Sequence, residues 1–107
     1  MTYNIDIGRE GESQAEIYLQ ANGFKTIERN FRYKRMGEID LIARKGDLIL
    51  FIEVKRRMQS EYSPLYAITH KKKKTLRLIA NQFILQRNDL QSKDITFRFD
   101  LIAIEGD

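Results

Sequence analysis

A chain of 107 residues with 42% hydrophobic composition is long enough for one domain with a single core, and too apolar to remain disordered. It has no cysteine, which excludes a disulfide framework, a thiolate metal site and a thiol nucleophile, and suits a reducing compartment. A net charge of +4 is modest as a total, and becomes a nucleic-acid footprint if the basic residues gather on one face.

The N-terminus, MTYNIDIGREGE, has neither the basic region nor the apolar run of a leader, and no stretch approaches the length of a transmembrane helix. The expected location is the cytoplasm, with no membrane partner. From Ile7 to Asn22 the pattern is helical and Gly23 stops it. Glu12, Ala15 and Leu19 fall at i, i+3 and i+7, so Glu12 shares a stripe with residues that favour burial. A carboxylate on the inner face needs a partner. The alternative is that Glu12 lies at the edge of the stripe, exposed or paired with a neighbour such as Arg9. Phe24 to Tyr33 reads as a strand with Ile27 and Phe31 as its apolar contributions. It carries Lys25, Arg29 and Arg32 and ends in the basic turn Lys34-Arg35. Such a run is either a solvated face or a phosphate contact, and both readings stand.

The segment Gly37 to Arg56, GEIDLIARKGDLILFIEVKR, organises the chain. Gly46-Asp47 between two apolar runs predicts a tight antiparallel hairpin. With these as the loop residues, Lys45 faces Leu48, Arg44 faces Ile49, Ile42 faces Phe51 and Asp40 faces Glu53. Ile39, Leu41, Ala43, Leu48, Leu50, Ile52 and Val54 then form an apolar face, and Asp40, Glu53 and Lys55 share the other. Like charges placed opposite one another destabilise a strand pair, so a cation is expected between them. Two carboxylates suit a hard divalent ion such as Mg²⁺, which retains waters for substrate phosphates, and Lys55 would reach such a water or a phosphate. That is the chemistry of phosphodiester hydrolysis. The competing reading is an ordinary hairpin with a Lys–Glu surface pair.

Met58 to Tyr66 contains the only proline, Pro64, and reads as a loop. Thr69 is placed to cap a helix running to about Arg87, with Leu76, Ile79, Ala80, Phe83 and Ile84 as its apolar stripe. Its first turn, Lys71 to Lys74, opposes the helix dipole, a cost that a bound phosphate would reverse. The alternative role is solubility. His70, the only histidine, reads as a surface residue. After a polar connection, Ile95 to Ile104 forms the last strand, with Arg98 and Asp100 together on one face as an ion pair or as part of a nucleic-acid channel. The expected fold class is α/β, a mixed sheet flanked by helices in the order α-β-β-β-α-β, with the strand after the second helix parallel to its neighbour. Residues 1–107 make a single domain.

The spacing of Asp40, twelve intervening residues and Glu53-Val54-Lys55 resembles the motif of the PD-(D/E)XK, or restriction-endonuclease-like, nucleases, with Ile39 in place of the proline. The surrounding sequence sharpens the likeness: Gly11-Glu12 with Ala15 and Leu19, Gly23, Arg29-Asn30-Phe31-Arg32, Gly37 to Ile42, Phe51 to Lys55, Ile68-Thr69 with Lys72, and Arg98-Phe99-Asp100. Together they look like the YraN-like family, grouped with the Holliday-junction resolvases in that superfamily. The resemblance covers nearly the whole chain; family members are expected to add a short helical tail after the last strand.

The resemblance implies a Mg²⁺- or Mn²⁺-dependent endonuclease acting on DNA, with branched or structured DNA as the substrate suggested by the resolvase kinship. Asp40 and Glu53 would hold the metal with the Val54 carbonyl, and Glu12 would be an auxiliary ligand. Lys55 would position or deprotonate the attacking water, and Arg32, Arg56, Arg57 and Lys72 would hold phosphates. Cutting both strands would call for a homodimer. Two other classes stay open: a non-catalytic nucleic-acid-binding module working with a partner, and a protein-interaction module using the tyrosines of the Met58 to Tyr66 loop.

Overall fold

The computed structural model describes residues 2–6, 11–58 and 69–106, with residues 2–6, 11, 56–58, 105 and 106 in backbone only. The elements run β1 (Thr2–Asp6), α1 (Gly11–Ala21), β2 (Lys25–Arg32), β3 (Glu38–Lys45), β4 (Leu48–Met58), α2 (His70–Leu85), a 3₁₀ turn (Asn88–Leu90) and β5 (Thr96–Gly106). The expected α/β order is present, with β1 added in front of it. The strands form one mixed sheet in the order β1-β5-β4-β3-β2. β2, β3 and β4 are antiparallel neighbours, whereas β4–β5 and β5–β1 are parallel. β1 escaped the sequence reading because its pairing is entirely non-local, Thr2 lying beside Leu101, and five residues carry little periodicity of their own.

The hairpin forms in the expected register, from Lys45 opposite Leu48 to Leu41 opposite Ile52. Gly46 takes a φ of +60° while Asp47 does not share the positive value, the pattern of a II′ turn with glycine first. Helix α2 starts where its cap predicts: Thr69 is extended, and its hydroxyl accepts a hydrogen bond from the Lys72 amide at 3.1 Å.

Both faces of the sheet are covered. On one, Ala15 and Leu19 of α1 pack on Leu41, Ala43, Leu50, Ile52, Ile102 and Ile104. On the other, Leu76, Ile79, Ala80 and Phe83 of α2 pack on Ile39, Ile42, Ile49 and Phe51. The central strands are therefore apolar on both sides, which is why their sequence reads as nearly continuous hydrophobic runs. Phe83 sets its edge against Phe31 and Phe51, with ring centroids 5.1 and 6.2 Å away. Because Phe83 is 2% exposed, Phe83→Ala is expected to lower the unfolding free energy by about 3–5 kcal/mol in urea melts, whereas a loss below about 1 kcal/mol would contradict this packing.

One expectation is corrected. Strict alternation puts Ile39 on the same face as Leu41, but Ile39 lies in the α2 cluster and Leu41 in the α1 cluster. The neighbouring strand turns over at the same level, where Arg29 reaches Glu16 of α1 and Phe31 packs under α2. Between them Asn30 has a φ of +51°, a left-handed conformation inside a strand. Asp40, opposite this point, is thus released from the regular pleat. Among the described residues no helix is long and apolar enough to cross a membrane.

Candidate metal centre

The end of the β3–β4 ladder supplies the first group of the site. The ladder runs as far as Leu41 opposite Ile52, and one step beyond it the Val54 amide donates to Asp40 Oδ2 at 2.7 Å. A carboxylate has replaced a backbone carbonyl as acceptor. In an extended strand the N–H and C=O of one residue point to the same side, so the Val54 carbonyl faces the Asp40 side as well.

Glu12 of α1 and Glu38 of β3 converge on Asp40. One carboxylate oxygen from each lies within 4.8 Å of the others. Asp40 is 9% exposed, and burial is the main reason its pKa rises from 3.8 to about 7. The Val54 hydrogen bond opposes that rise, while the charges of Glu53, Glu12 and Glu38 add to it. Three acids around one buried carboxyl make a strongly negative point with no cationic side chain within hydrogen-bond distance of Asp40 among the described residues.

Glu53 forms the wall of an adjoining cleft. Its side chain is 11% exposed, and Oε2 is buried with no hydrogen-bond partner among the described residues. Lys55 Nζ stands 3.8 Å from Oε1 and Lys72 Nζ 3.9 Å from Oε2, both beyond ordinary hydrogen-bond reach. The cleft encloses about 320 Å³ and is lined by Arg32, Lys34, Arg35, Gly37, Glu38, Glu53 and Lys72. Four cations thus frame an opening whose floor is acidic. Lys72 contributes its side chain; its amide is already occupied by the Thr69 cap.

The donor set fits a hard divalent cation. All the candidate ligands are oxygens, Asp40 is destabilised as an anion by burial and then by its acidic neighbours, and Glu53 holds a buried oxygen with no hydrogen-bond partner among the described residues. Such oxygen-rich, negatively charged sites suit Mg²⁺ or Mn²⁺ rather than softer ions.

Of the residues expected from sequence, Asp40 and Glu12 bring carboxylate oxygens within 4.8 Å of each other, and Glu53 stands between Lys55 and Lys72, the latter on the cleft. Glu12 is half-buried and accepts from Asn30 Nδ2 at 3.0 Å, which answers its need for a partner. The more deeply buried acid of α1 is instead Glu16, paired with Arg29. Asp40 and Glu53 are electrostatic neighbours, but Asp40 leans to the Val54 amide and to Glu12 and Glu38, because the strand turns over at that residue. Arg32 is on the cleft and also donates to Glu38 at 2.8 Å. The side chains of Arg56 and Arg57 lie outside the described residues, as does most of the Met58 to Tyr66 loop. Arg98 and Asp100 are joined by two hydrogen bonds of 2.8 and 3.0 Å, so the ion-pair reading of these residues holds.

Glu38 was missed by sequence reasoning, although the i, i+2 spacing of Glu38 and Asp40 was a usable signal. Asn30 was quoted only as part of a motif; an Asn inside a strand is a poor β former, and that was the clue to its irregular backbone.

A sequence profile of the uncharacterised protein family UPF0102 matches residues 11–104. Relatives carry the same designation, and three of them illustrate the likeness. The UPF0102 protein of Hahella chejuensis is 48% identical over 104 residues, covering 94% of this chain and 78% of the relative. That of Thermodesulfovibrio yellowstonii is 40% identical over 101 residues, covering 94% and 86%, and that of Rhodococcus opacus is 39% identical over 105 residues, covering 97% and 86%.

Proposed function

We propose a function for a chain that belongs to the uncharacterised protein family UPF0102, the YraN-like family: a metal-dependent endonuclease that hydrolyses phosphodiester bonds of DNA. The observation that carries this reading is the buried Asp40 carboxyl, raised to about 7 by burial and by Glu53, Glu12 and Glu38, two of which, Glu38 and Glu53, also line a cleft framed by cations. A pure binding surface for a polyanion has no use for four acids there, because they repel phosphate.

In this reading Asp40, Glu53 and Glu12, with the Val54 carbonyl and Glu38 beside them, hold Mg²⁺ or Mn²⁺. The bound ion would polarise a phosphoryl oxygen and lower the pKa of a coordinated water. Lys55, which follows Glu53 by two residues, positions the attacking water and offsets charge developing on the phosphoryl group. Arg32 and Lys72, with Lys34 and Arg35, hold flanking phosphates and set the strand in the cleft. Carboxylates bound to the ion would no longer repel the backbone, so productive binding and catalysis depend on the same ligand.

The test is cleavage of labelled single-stranded, duplex, flapped and four-way-junction DNA with Mn²⁺ or Mg²⁺ against EDTA. Metal-dependent cutting is expected, and the preferred shape identifies the substrate. Binding without cutting, in every metal tried, would overturn the nuclease reading in favour of a nucleic-acid-binding module.

A further inference from the structure

We propose that Asn30 is the positioning residue of this centre, holding Glu12 and Glu38 in the arrangement that receives the cation; the inference rests on the metal centre proposed above. Asn30 Nδ2 donates to Glu12 at 3.0 Å to Oε1 and 3.3 Å to Oε2, and to Glu38 Oε2 at 2.6 Å. One amide group therefore bridges two carboxylates that come from different elements and that repel each other. Glu38 Oε1 is fixed in turn by Arg32 at 2.8 Å.

The backbone accounts for the position. A residue with φ of +51° inside β2 is conformationally costly for most side chains, and asparagine is among the few that accept it readily. The same turn-over of the strand directs Arg29 toward α1 and Phe31 toward α2. Asn30 thus sits at the one level of β2 that faces Glu12 on the helix and Glu38 on the next strand. A neutral donor has a specific advantage here. Arginine or lysine at position 30 would neutralise the acids permanently and compete with the cation, whereas an amide orients them and leaves their charge available. A group that orients ligands without contacting the ion typically changes metal affinity by about 10–100-fold when removed.

The backbone conformation also supplies a clean variant, since glycine tolerates a positive φ and removes only the side chain. Titration of the full chain with MnCl₂ is expected to show Asn30→Gly binding at least about tenfold more weakly than the wild type. Asn30→Ser, whose side chain is too short to span both carboxylates, is expected to show the same loss and serves if the glycine variant melts below the titration temperature. A purely structural role would change melting but not affinity. The loss is further expected to shrink at least about threefold in a Glu38→Gln background, because one of the two bridged charges is then absent. Wild-type binding with variants within about twofold of it, or a loss independent of Glu38, would overturn the positioning role alone. No Mn²⁺ binding by the wild type would overturn the metal centre and this inference with it.

Discussion

In EDTA at pH 8, Asp40→Asn is expected to melt at a higher temperature than the wild-type protein. Asp40 is buried, and its pKa is raised from 3.8 to about 7, so the folded protein binds the proton more tightly than the unfolded chain does. Its contribution to stability is therefore fully present below pH 3.8 and is lost as pH rises through about 7. A shift of that size, at about 1.4 kcal/mol per pH unit, gives a ceiling of roughly 4 kcal/mol for the loss. Asparagine has a similar shape, cannot ionise, and can still accept the Val54 amide through Oδ1. If half the ceiling is realised, the variant gains roughly 10 °C in melting temperature at pH 8, and its advantage disappears near pH 4. Metal-free wild type should also lose stability between pH 4 and pH 8 more steeply than the variant. Equal slopes, or a variant less stable at pH 8, would show that Asp40 is not held at a site that resists its charge. A residue that destabilises the empty protein and can be improved by a neutral isostere is what a binding site for a cation leaves behind.

The largest effect on activity is expected from Glu53→Gln. Its side chain is 11% exposed, and its Oε2 is buried without a hydrogen-bond donor among the described residues, so an isosteric amide fits the same space. The negative charge beside Lys55 and Lys72, which would face the proposed cation, is removed. Loss of such a ligand, at constant fold, should lower metal-dependent cleavage by about 100-fold or more. DNA binding measured in the absence of metal should not weaken, since the change removes an acid that opposes the backbone. Lys72→Ala is the useful contrast: it removes a cation from the cleft, so binding should become weaker and less sensitive to salt. Retention of cleavage within about tenfold by Glu53→Gln would remove Glu53 from the reaction.

Much of this arrangement was legible in the sequence because it depends on local signals. The Gly46-Asp47 turn set the register of β3 and β4, Thr69 marked the start of α2, and Gly23 marked the end of α1. The register brought Asp40 and Glu53 into one neighbourhood, and strand alternation kept Lys55 beside Glu53. What stayed hidden depends on departures from regularity and on long-range pairing. The left-handed Asn30 lets both strands turn over, so Ile39 changes face and Asp40 reaches the Val54 amide in place of a simple cross-strand position beside Glu53. β1 is defined by a parallel partner at the far end of the chain, which no local pattern announces. The helical face of α1 left Glu12 between an inner and an edge position, and it is half-buried; its neighbours, Asn30 and Glu38, come from strands whose twist the periodicity of a helix cannot specify.

The central claim is that these acids bind a divalent cation through Asp40, and calorimetric titration with MnCl₂ in buffers of different ionisation enthalpy tests it most directly. Because Asp40 titrates at about 7, the wild type should bind Mn²⁺ and release close to one proton per ion at pH 6, with the release fading by pH 8.5 and binding lost in Asp40→Asn. Absence of binding, or binding that is equally tight in Asp40→Asn with no proton released at pH 6, would contradict it.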